Sequence, residues 1–326
     1  ERMIIEPTDQ CKVTVLVDNV LDILSTAPKS VTGHIPNLLN AGAEEMSGSC
    51  LCCAHWGLSL VIEAQNGLSQ QILLFDSGPE GDTVERNGIR LGIDFGAINA
   101  AMCSHGHWDH TGGMERALTL INKENGGQSI PVHVNDEMFV KRGLRIDDST
   151  VIPFEAVHSK KTLKVAGAKI VSNEQSHTLL EDTFYISGEI PRVTPYEKGL
   201  PPHVKDIGNG WEPDPWIMDE RYTAIHLKDK GILVFTGCSH AGVINVLKNA
   251  QEVFDPIPLY GVMGGLHLSG AACEKIIPET IEDLMSFNLK QIVPGHCTGW
   301  RATHKLVETF GEETVIMSAV GQSHQF

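Results

Sequence analysis

The segment SHGHWDHTGG, residues 104–113, constrains this chain more than any other feature of its sequence. It places four candidate ligands within one short stretch, namely His105, His107, Asp109 and His110. Imidazoles and carboxylates bind protons and metal ions, so the segment is either a polar loop or part of a metal site. A catalytic zinc ion takes three protein ligands and a water, and a site of this kind therefore needs ligands from elsewhere in the chain.

Other candidate ligands follow other predicted strands. Cys238 and His240 lie in LVFTGCSHAG, His267 lies in YGVMGGLHLSG, and His296 lies in QIVPGHCTGW. The sequence CSHG at 103–106 is nearly repeated as CSHA at 238–241, each time between a predicted strand and a predicted helix. We interpret this as a weak internal repeat, in which two related halves present ligands from one edge of a sheet.

The spacing within the first segment predicts how its ligands are shared. A strand over 99–105 would place His105 and His107 on one face, because side chains alternate along a strand. A turn near 108–110 would then bring Asp109 and His110 round to the same pocket, and the neighbouring glycines permit close backbone approach. His105 and His107 would bind one ion, and Asp109 and His110 a second.

The wider pattern predicts an α/β protein with sheets packed together and helices outside. Runs rich in Val, Ile, Leu and aromatic residues predict strands at 12–19, 58–65, 71–78, 99–105, 131–135, 168–172, 183–187, 223–229, 231–238, 259–265, 291–296 and 314–320. Helical periodicity predicts helices over 113–123, 241–254, 272–287 and 300–310.

No clear linker interrupts the chain, so we expect a single domain over 1–326. Residues 189–221 stand out because they are rich in Pro and Gly and carry Trp211 and Trp216. Long loops in compact domains are commonly functional, and we interpret this stretch as an active-site flap. Trp108, Trp211, Trp216 and Trp300 are candidates for an aromatic substrate pocket, with ordinary core packing as the alternative.

Composition limits the partners. The formal net charge of -16 argues against nucleic acid or an anionic membrane surface, since both are bound by basic patches. Eight cysteines in 326 residues do not form a disulfide framework. No apolar run is long enough to span a bilayer, and no signal peptide is visible at the start, so we expect a cytoplasmic protein acting on a small molecule.

The motifs together resemble those of a known superfamily. HGHWDH fits the HxHxDH motif of the metallo-β-lactamase superfamily, and LLFDSG, LVFTGC and PGHC resemble further motifs of it. VTVLVDN, HWGLSLVIE, SGEIPR, TGCSHAG, GGLHL and PGHCTG resemble one subfamily, that of the dihydropterin ribofuranosyl-aminobenzene phosphate synthase. The resemblance runs from about residue 12 to 321 and implies an αββα sandwich that binds one or two metal ions.

The resemblance assigns some residues and leaves others open. Asp76 is in place in the strand-end aspartate motif, where we expect it to orient a ligand rather than to bind metal itself. Cys238 stands where many members carry a bridging aspartate, and it bridges as a thiolate, binds one ion or only lines the site. His177 lies where many members have another ligand, but its context differs, and we prefer His240. His267 is a ligand or an outer partner of one.

These residues predict a metal-dependent hydrolase. A metal ion lowers the pKa of a bound water and stabilises the developing oxyanion, and Asp109 would hold a metal and orient the nucleophile. Zinc is the expected ion, with iron and manganese as alternatives. We expect a cyclic or aromatic amide or ester, such as a lactam or lactone. A pterin-linked synthase or phosphoester hydrolase is the alternative enzyme, and a metal-binding sensor without turnover is the alternative of another class.

Two further sets of residues receive weaker assignments. Asp18 and Asn19 end the first predicted strand, where they either cap a turn or contribute to the site. Histidines outside the motifs, including His133 and His203, are assigned structural or surface positions.

Overall fold

The computed structural model describes residues 4–326, and its elements fill most of that range. The strands are β1 Pro7–Thr8, β2 Gln10–Val17, β3 Val31–Thr32, β4 Ser59–Asn66, β5 Ser69–Phe75, β6 Ala100–Met102, β7 Ile130–Val134, β8 Arg142–Arg145, β9 Val151–Pro153, β10 Ala168–Ser172, β11 His177–Leu179, β12 Phe184–Ile186, β13 His203–Asp206, β14 Trp211–Pro213, β15 Thr223–Leu227, β16 Gly231–Thr236, β17 Leu259–Gly265, β18 Gln291–Gly295 and β19 Ser323–Gln325. The helices are α1 His34–Asn40, α2 Gly81–Arg90, α3 Trp108–Thr111, α4 Met114–Glu124, α5 Lys160–Val165, α6 Val243–Phe254, α7 Ile277–Met285 and α8 Trp300–Phe310. Within residues 4–326 no helix combines the length and the apolar character that crossing a bilayer requires.

Two large mixed sheets form the middle of the molecule. The first sheet has the strand order β10-β7-β6-β5-β4-β2-β19-β3. The second has the order β11-β12-β15-β16-β17-β18, with β1 paired to β15. Strands β5, β6 and β7 are parallel in the first sheet, and β16, β17 and β18 are parallel in the second. Each of the two sheets therefore presents the carboxyl ends of adjacent parallel strands at one edge.

Three hydrophobic clusters show that the molecule has four layers. A central cluster joins side chains of both sheets, such as Leu60 and Phe75 with Phe235 and Met263. A second cluster packs α2, α4 and α5 on the outer face of the first sheet. A third packs α6, α7 and α8 on the outer face of the second sheet. The predicted αββα sandwich is therefore confirmed.

Strand β5 shows why the sequence folds in this way. Leu73 and Phe75 point into the central cluster, whereas Ile72 and Leu74 point into the outer one. Side chains alternate along a strand, and a strand that is covered on both faces needs apolar residues at every position. The run ILLF meets that requirement.

The structure corrects two predicted strands. The strand predicted over 99–105 ends at Met102, so His105 and His107 lie in a loop rather than on one strand face. The segment 314–320 forms no strand, although one bridge joins Ile292 to Val315 and the Ser318 N–H donates to the Pro294 carbonyl. Pro294 has no backbone N–H to donate in return, so the parallel ladder is not completed there.

Residues 189–221 are partly built into a third sheet. Their strands β13 and β14 join β8 and β9 in the order β14-β13-β8-β9. The single-domain boundary and the flap role of this segment remain predictions. The third sheet nevertheless matters for the site, because side chains from it reach the loop after β6.

Candidate metal centre

The predicted ligands meet at one end of the sandwich, where strands of both sheets stop. His105 and His107 follow β6, and the short helix α3 carries Asp109 and His110. Cys238 and His240 follow β16, and His296 follows β18. The internal repeat seen in the sequence thus corresponds to two strand ends, one in each sheet, that face each other across the site.

The candidate ligands divide into two groups. In the first, the ligand atoms of His105, His107 and His240 lie within 4.8 Å of one another. In the second, the same holds for Asp109, His110 and His296. The sequence-based pairing, with His105 and His107 in one set and Asp109 and His110 in the other, therefore agrees with this arrangement, and the ligand roles remain predictions.

Cys238 lies where the two groups meet. Its ligand atom is within 4.8 Å of those of His105 and His110, which belong to different groups. The Cys238 Sγ lies 3.1 Å from the His110 Nε2. This position allows a thiolate to contact an ion in either group, and it is the position expected of a bridging residue.

The interatomic distances suit metal ligands. Two ligands at about 2.0–2.1 Å from a tetrahedral zinc ion lie about 3.3 Å apart. His105 Nε2 lies 3.1 Å from His107 Nδ1, and His296 Nε2 lies 3.3 Å from Asp109 Oδ2. His240 adds a separate indication, because both of its ring nitrogens are buried and have no hydrogen-bond partner among residues 4–326. The residues present therefore fit a pair of divalent metal ions.

Asp76 orients one histidine of each group. Its Oδ2 accepts a hydrogen bond from His110 Nδ1 at 2.7 Å and another from Ser104 Oγ at 2.7 Å. The Ser104 Oγ in turn lies 2.9 Å from His105 Nδ1. Because these outer contacts are made by the Nδ1 atoms, the Nε2 atoms of His105 and His110 face the site. The predicted outer role of Asp76 agrees with these contacts.

Asp18 and Asn19 hold His296. The Asp18 Oδ1 accepts the backbone N–H of His296 at 2.9 Å, and the Asn19 Oδ1 lies 3.1 Å from His296 Nδ1. The Asn19 side chain also donates to the backbone carbonyl of His296 at 2.9 Å. The residues that follow β2 therefore contribute to the site by positioning a candidate ligand.

Asp219 and Glu220 tie down the loops that carry the first group. The Asp219 Oδ2 accepts the backbone N–H of Gly106 at 2.8 Å and pairs with the guanidinium of Arg142. The two carboxylate oxygens of Glu220 accept the backbone N–H groups of His240 and Ala241, at 2.8 and 2.7 Å. One short segment thus fixes the loop after β6 and the loop after β16.

The electrostatics favour neutral imidazoles in the first group. Burial, followed by the charges of neighbouring histidines, lowers the pKa of His105, His107 and His240 well below the ordinary value. A neutral imidazole is the form that binds a metal ion. Burial raises the pKa of Asp109, but His110 and His296 outweigh that effect and hold it at about 2. Asp109 is therefore an anion at neutral pH.

Two aromatic residues outside the four candidate tryptophans contact candidate ligands at the site. The Trp56 ring, 49% exposed, lies 5.2 Å from the His296 ring, and the Phe154 ring lies 5.3 Å from the His107 ring. Trp56 belongs to the HWGLSL motif, so the resemblance pointed to its segment but not to its position. Phe154 had no sequence signal.

The four tryptophans proposed from the sequence for a substrate pocket are Trp108, Trp211, Trp216 and Trp300. In the part of the chain that the structure describes, none of them makes a ring contact with a candidate ligand. Trp300 is 71% exposed and stacks with Arg301. Lys141 lies over the Trp211 ring at 5.6 Å. A role for these tryptophans in the pocket remains a prediction.

The remaining histidines have clear places. His267 lies beside His240 with 4.3 Å between ring centroids, and its ligand atom lies within 4.8 Å of those of Cys238 and His240. His177 contacts His133 instead, at 2.9 Å between ring nitrogens. His203, assigned to a structural or surface position, is buried with its Nε2 2.9 Å from His107 Nε2. No motif marked His203, because its contact spans 96 residues of chain.

Comparisons with known proteins agree with the fold and the motifs. No family model matches the chain. The 7,8-dihydropterin-6-methyl-4-(β-D-ribofuranosyl)-aminobenzene-5'-phosphate synthase of Methanocaldococcus jannaschii is 31% identical over 265 residues, which cover 79% of this chain and 85% of that protein. An uncharacterised protein of the same organism is 30% identical over 258 residues, covering 78% of this chain and 88% of its own length.

Solved structures show the same fold. A crystal structure of a metal-dependent hydrolase of the β-lactamase superfamily superposes with a TM-score of 0.70 at 19% identity, covering 96% of this chain and 98% of that one. The metallo-β-lactamase fold protein YhfI from Bacillus subtilis superposes with a TM-score of 0.51 at 12% identity, covering 98% of this chain and all of that one. At these identities the likeness concerns the fold.

Proposed function

Because the chain belongs to the metallo-β-lactamase superfamily, within it to the family of the dihydropterin ribofuranosyl-aminobenzene phosphate synthase, we propose that it is a metal-dependent hydrolase. The observation that carries the proposal is the pair of three-residue ligand groups with Cys238 between them. The first ion would be held by His105, His107 and His240, and the second by Asp109, His110 and His296. Zinc is the proposed metal, since imidazole and thiolate ligands suit it.

Bound metal ions would supply Lewis acidity and a water of lowered pKa. Asp109 has the right state and position to orient the attacking water. It is ionised at neutral pH, and its side chain keeps 11% of its surface exposed, whereas that of His110 is fully buried. A carboxylate oxygen of Asp109 therefore accepts a hydrogen bond from the water and directs it towards the scissile bond.

The surroundings support a small substrate with a ring. Trp56 on the side of the second group and Phe154 on the side of the first provide flat apolar surfaces next to candidate ligands. The net charge of -16 disfavours polyanionic substrates such as nucleic acid. We propose a cyclic or aromatic ester or amide, of the lactone or lactam type, as the substrate.

One alternative has its own support. The relative that shares 31% identity over 85% of its length is named as a pterin-linked synthase. Making the product in that name from two parts would join the dihydropterin methyl carbon to the arylamine nitrogen of a ribofuranosyl-aminobenzene phosphate, with loss of a leaving group from the methyl carbon and a proton from the amine. The same metal ligands could serve such a reaction, so the proposed hydrolase is tested against this activity directly.

The test combines metal analysis with an activity panel. The assays use four proteins, namely the purified protein, its chelated form, His107→Ala and the remote control His133→Ala. Each protein is tested with lactones, lactams, phosphoesters and the two synthase substrates. We expect about two metal ions per chain, as the two ligand groups imply, and hydrolysis of a cyclic ester or amide. Activity should disappear on chelation and in His107→Ala and persist in His133→Ala.

Each other outcome points elsewhere. Product formation only from the synthase substrates would replace the hydrolase by the synthase. Metal binding without turnover of any compound would favour a metal-binding sensor. Hydrolysis that survives complete removal of metal would refute the proposal.

A further inference from the structure

His203 lies between a candidate metal ligand and the third sheet. It begins β13, its side chain is fully buried, and its Nε2 lies 2.9 Å from His107 Nε2. On its other side, its Nδ1 lies 2.7 Å from the backbone carbonyl oxygen of Asp214. The imidazole thus spans the gap between His107 and the strand that precedes Asp214.

These contacts determine which nitrogens carry hydrogen. A carbonyl oxygen only accepts, so the Nδ1 of His203 must be the donor to Asp214. The Asp214 Oδ2 lies 3.4 Å from the same Nδ1 and is a second acceptor on that side. In the neutral tautomer that carries its hydrogen on Nδ1, the His203 Nε2 is an acceptor. The His107 Nε2 must then donate to it, and the His107 Nδ1 keeps a free lone pair. That Nδ1 faces His105 Nε2 at 3.1 Å, inside the first ligand group.

We propose that His203 is a positioning residue that fixes the tautomer and ring orientation of His107 for metal binding. Ligating histidines commonly donate their second N–H to a protein acceptor, and losing that acceptor weakens metal binding. The inference rests on the proposed metal centre and not on the proposed hydrolysis. Nothing in the sequence motifs assigns this role to His203.

The third sheet acts as the frame for this contact. Phe154, which follows β9, packs against the rings of both His107 and His203, at 5.3 and 5.9 Å. The Arg142 guanidinium on β8 lies 3.5 Å from the Asp214 carboxylate, next to the carbonyl that His203 contacts. His203 therefore has little freedom to move, and a fixed acceptor defines the direction of the His107 ring.

A role for His203 as a direct ligand is less consistent with the geometry. Within residues 4–326, none of the candidate ligand groups includes His203. Its Nε2 contacts the Nε2 of His107, the nitrogen that points away from His105.

The test compares three variants by metal binding rather than by activity alone. His203→Leu removes the acceptor, whereas His203→Gln keeps it, because the amide oxygen can accept from His107 and the amide N–H can donate to Asp214. His133→Leu is the matched control, since His133 is also a buried histidine paired with another, at 2.9 Å, but outside the ligand groups. Zinc affinity is measured by competition with a chromophoric chelator, and cobalt spectra report the ligand geometry.

We expect His203→Leu to weaken the binding of one of the two ions about 10- to 100-fold and to alter the cobalt spectrum. His203→Gln should recover most of the affinity and the spectrum, and His133→Leu should match the wild type. Circular dichroism of the metal-free proteins checks folding. If His203→Leu does not fold, His203→Asn replaces it, because its shorter amide cannot reach both partners.

Two results would overturn the inference. Unchanged metal affinity in a folded His203→Leu protein would show that His107 needs no outer acceptor. Loss of one ion from the stoichiometry in both the Leu and Gln variants would make His203 a ligand itself. Because no substrate enters these measurements, they hold whether or not the protein is a hydrolase.

Discussion

The buried ion pair between Arg142 and Asp219 should be a main support of the fold around the site. The side chains are 3% and 0% exposed, and the Arg142 Nη1 donates to the Asp219 Oδ2 at 3.1 Å. Asp219 also holds the backbone N–H of Gly106 between two candidate ligands. Replacing Arg142 by Met leaves a buried carboxylate without its cation, which costs about 3–5 kcal/mol of unfolding free energy.

The assay is denaturant unfolding of the metal-free protein, so that metal binding does not contribute to stability. Arg116→Met is the control, because its pair with Glu85 is partly exposed and is worth at most about 1 kcal/mol. The double variant Arg142→Met/Asp219→Asn should lose less stability than the sum of the two single variants, by about 1–3 kcal/mol. In the double variant, the asparagine oxygen still accepts the hydrogen bond from the Gly106 N–H, and no buried charge is left unpaired.

The pair also predicts a pH dependence. Burial by itself raises the pKa of Asp219, but Arg142 outweighs burial and holds the pKa below the ordinary 3.8. The carboxylate therefore stabilises the fold above 3.8, and this contribution is lost as the pH falls through the folded-state pKa. The difference in unfolding free energy between wild type and Asp219→Asn should therefore become smaller as the pH falls. A loss below about 1 kcal/mol in Arg142→Met at neutral pH would refute the reasoning.

Two further substitutions test other parts of the site. Gly237→Ala should destabilise the protein by about 1–3 kcal/mol and weaken metal binding, because its Cβ would lie 2.2 Å from Ser104 Oγ and 3.0 Å from Asp76 Oδ2. Denaturant unfolding and metal titration of Gly237→Ala are compared with those of Gly48→Ala, where a Cβ has open space. Equal stability and equal metal affinity of the two variants would contradict this prediction. Trp56→Ala should raise KM about 3- to 10-fold for an aromatic substrate and little for an aliphatic one, as steady-state kinetics on a matched pair would show. An equal rise for both substrates would count against a stacking role.

The sequence determined the candidate ligands and the layer order. HGHWDH, the repeated CSH and the PGH segment each followed a predicted strand, so their meeting at one edge followed from parallel strands ending together. Strands that are apolar on both faces, such as ILLF in β5, must be covered on both faces. Helices therefore had to pack on the outer face of each of the two sheets. These features are local in the sequence, so the periodicity of apolar residues or a short motif is enough to reveal them.

Only the tertiary structure decided how the candidate ligands are divided into groups and which residues hold them in place. His203 reaches the loop after β6 from the third sheet, and Asp219 reaches it from the segment between β14 and β15. Asp18 and Asn19 reach His296 across 278 and 277 residues of chain. The strand ending at Met102 also placed His105 and His107 by loop contacts instead of strand alternation. No periodicity or motif marks such residues. A hydrogen-bond partner is selected by distance in the folded molecule, and long-range packing, which local sequence does not encode, sets that distance.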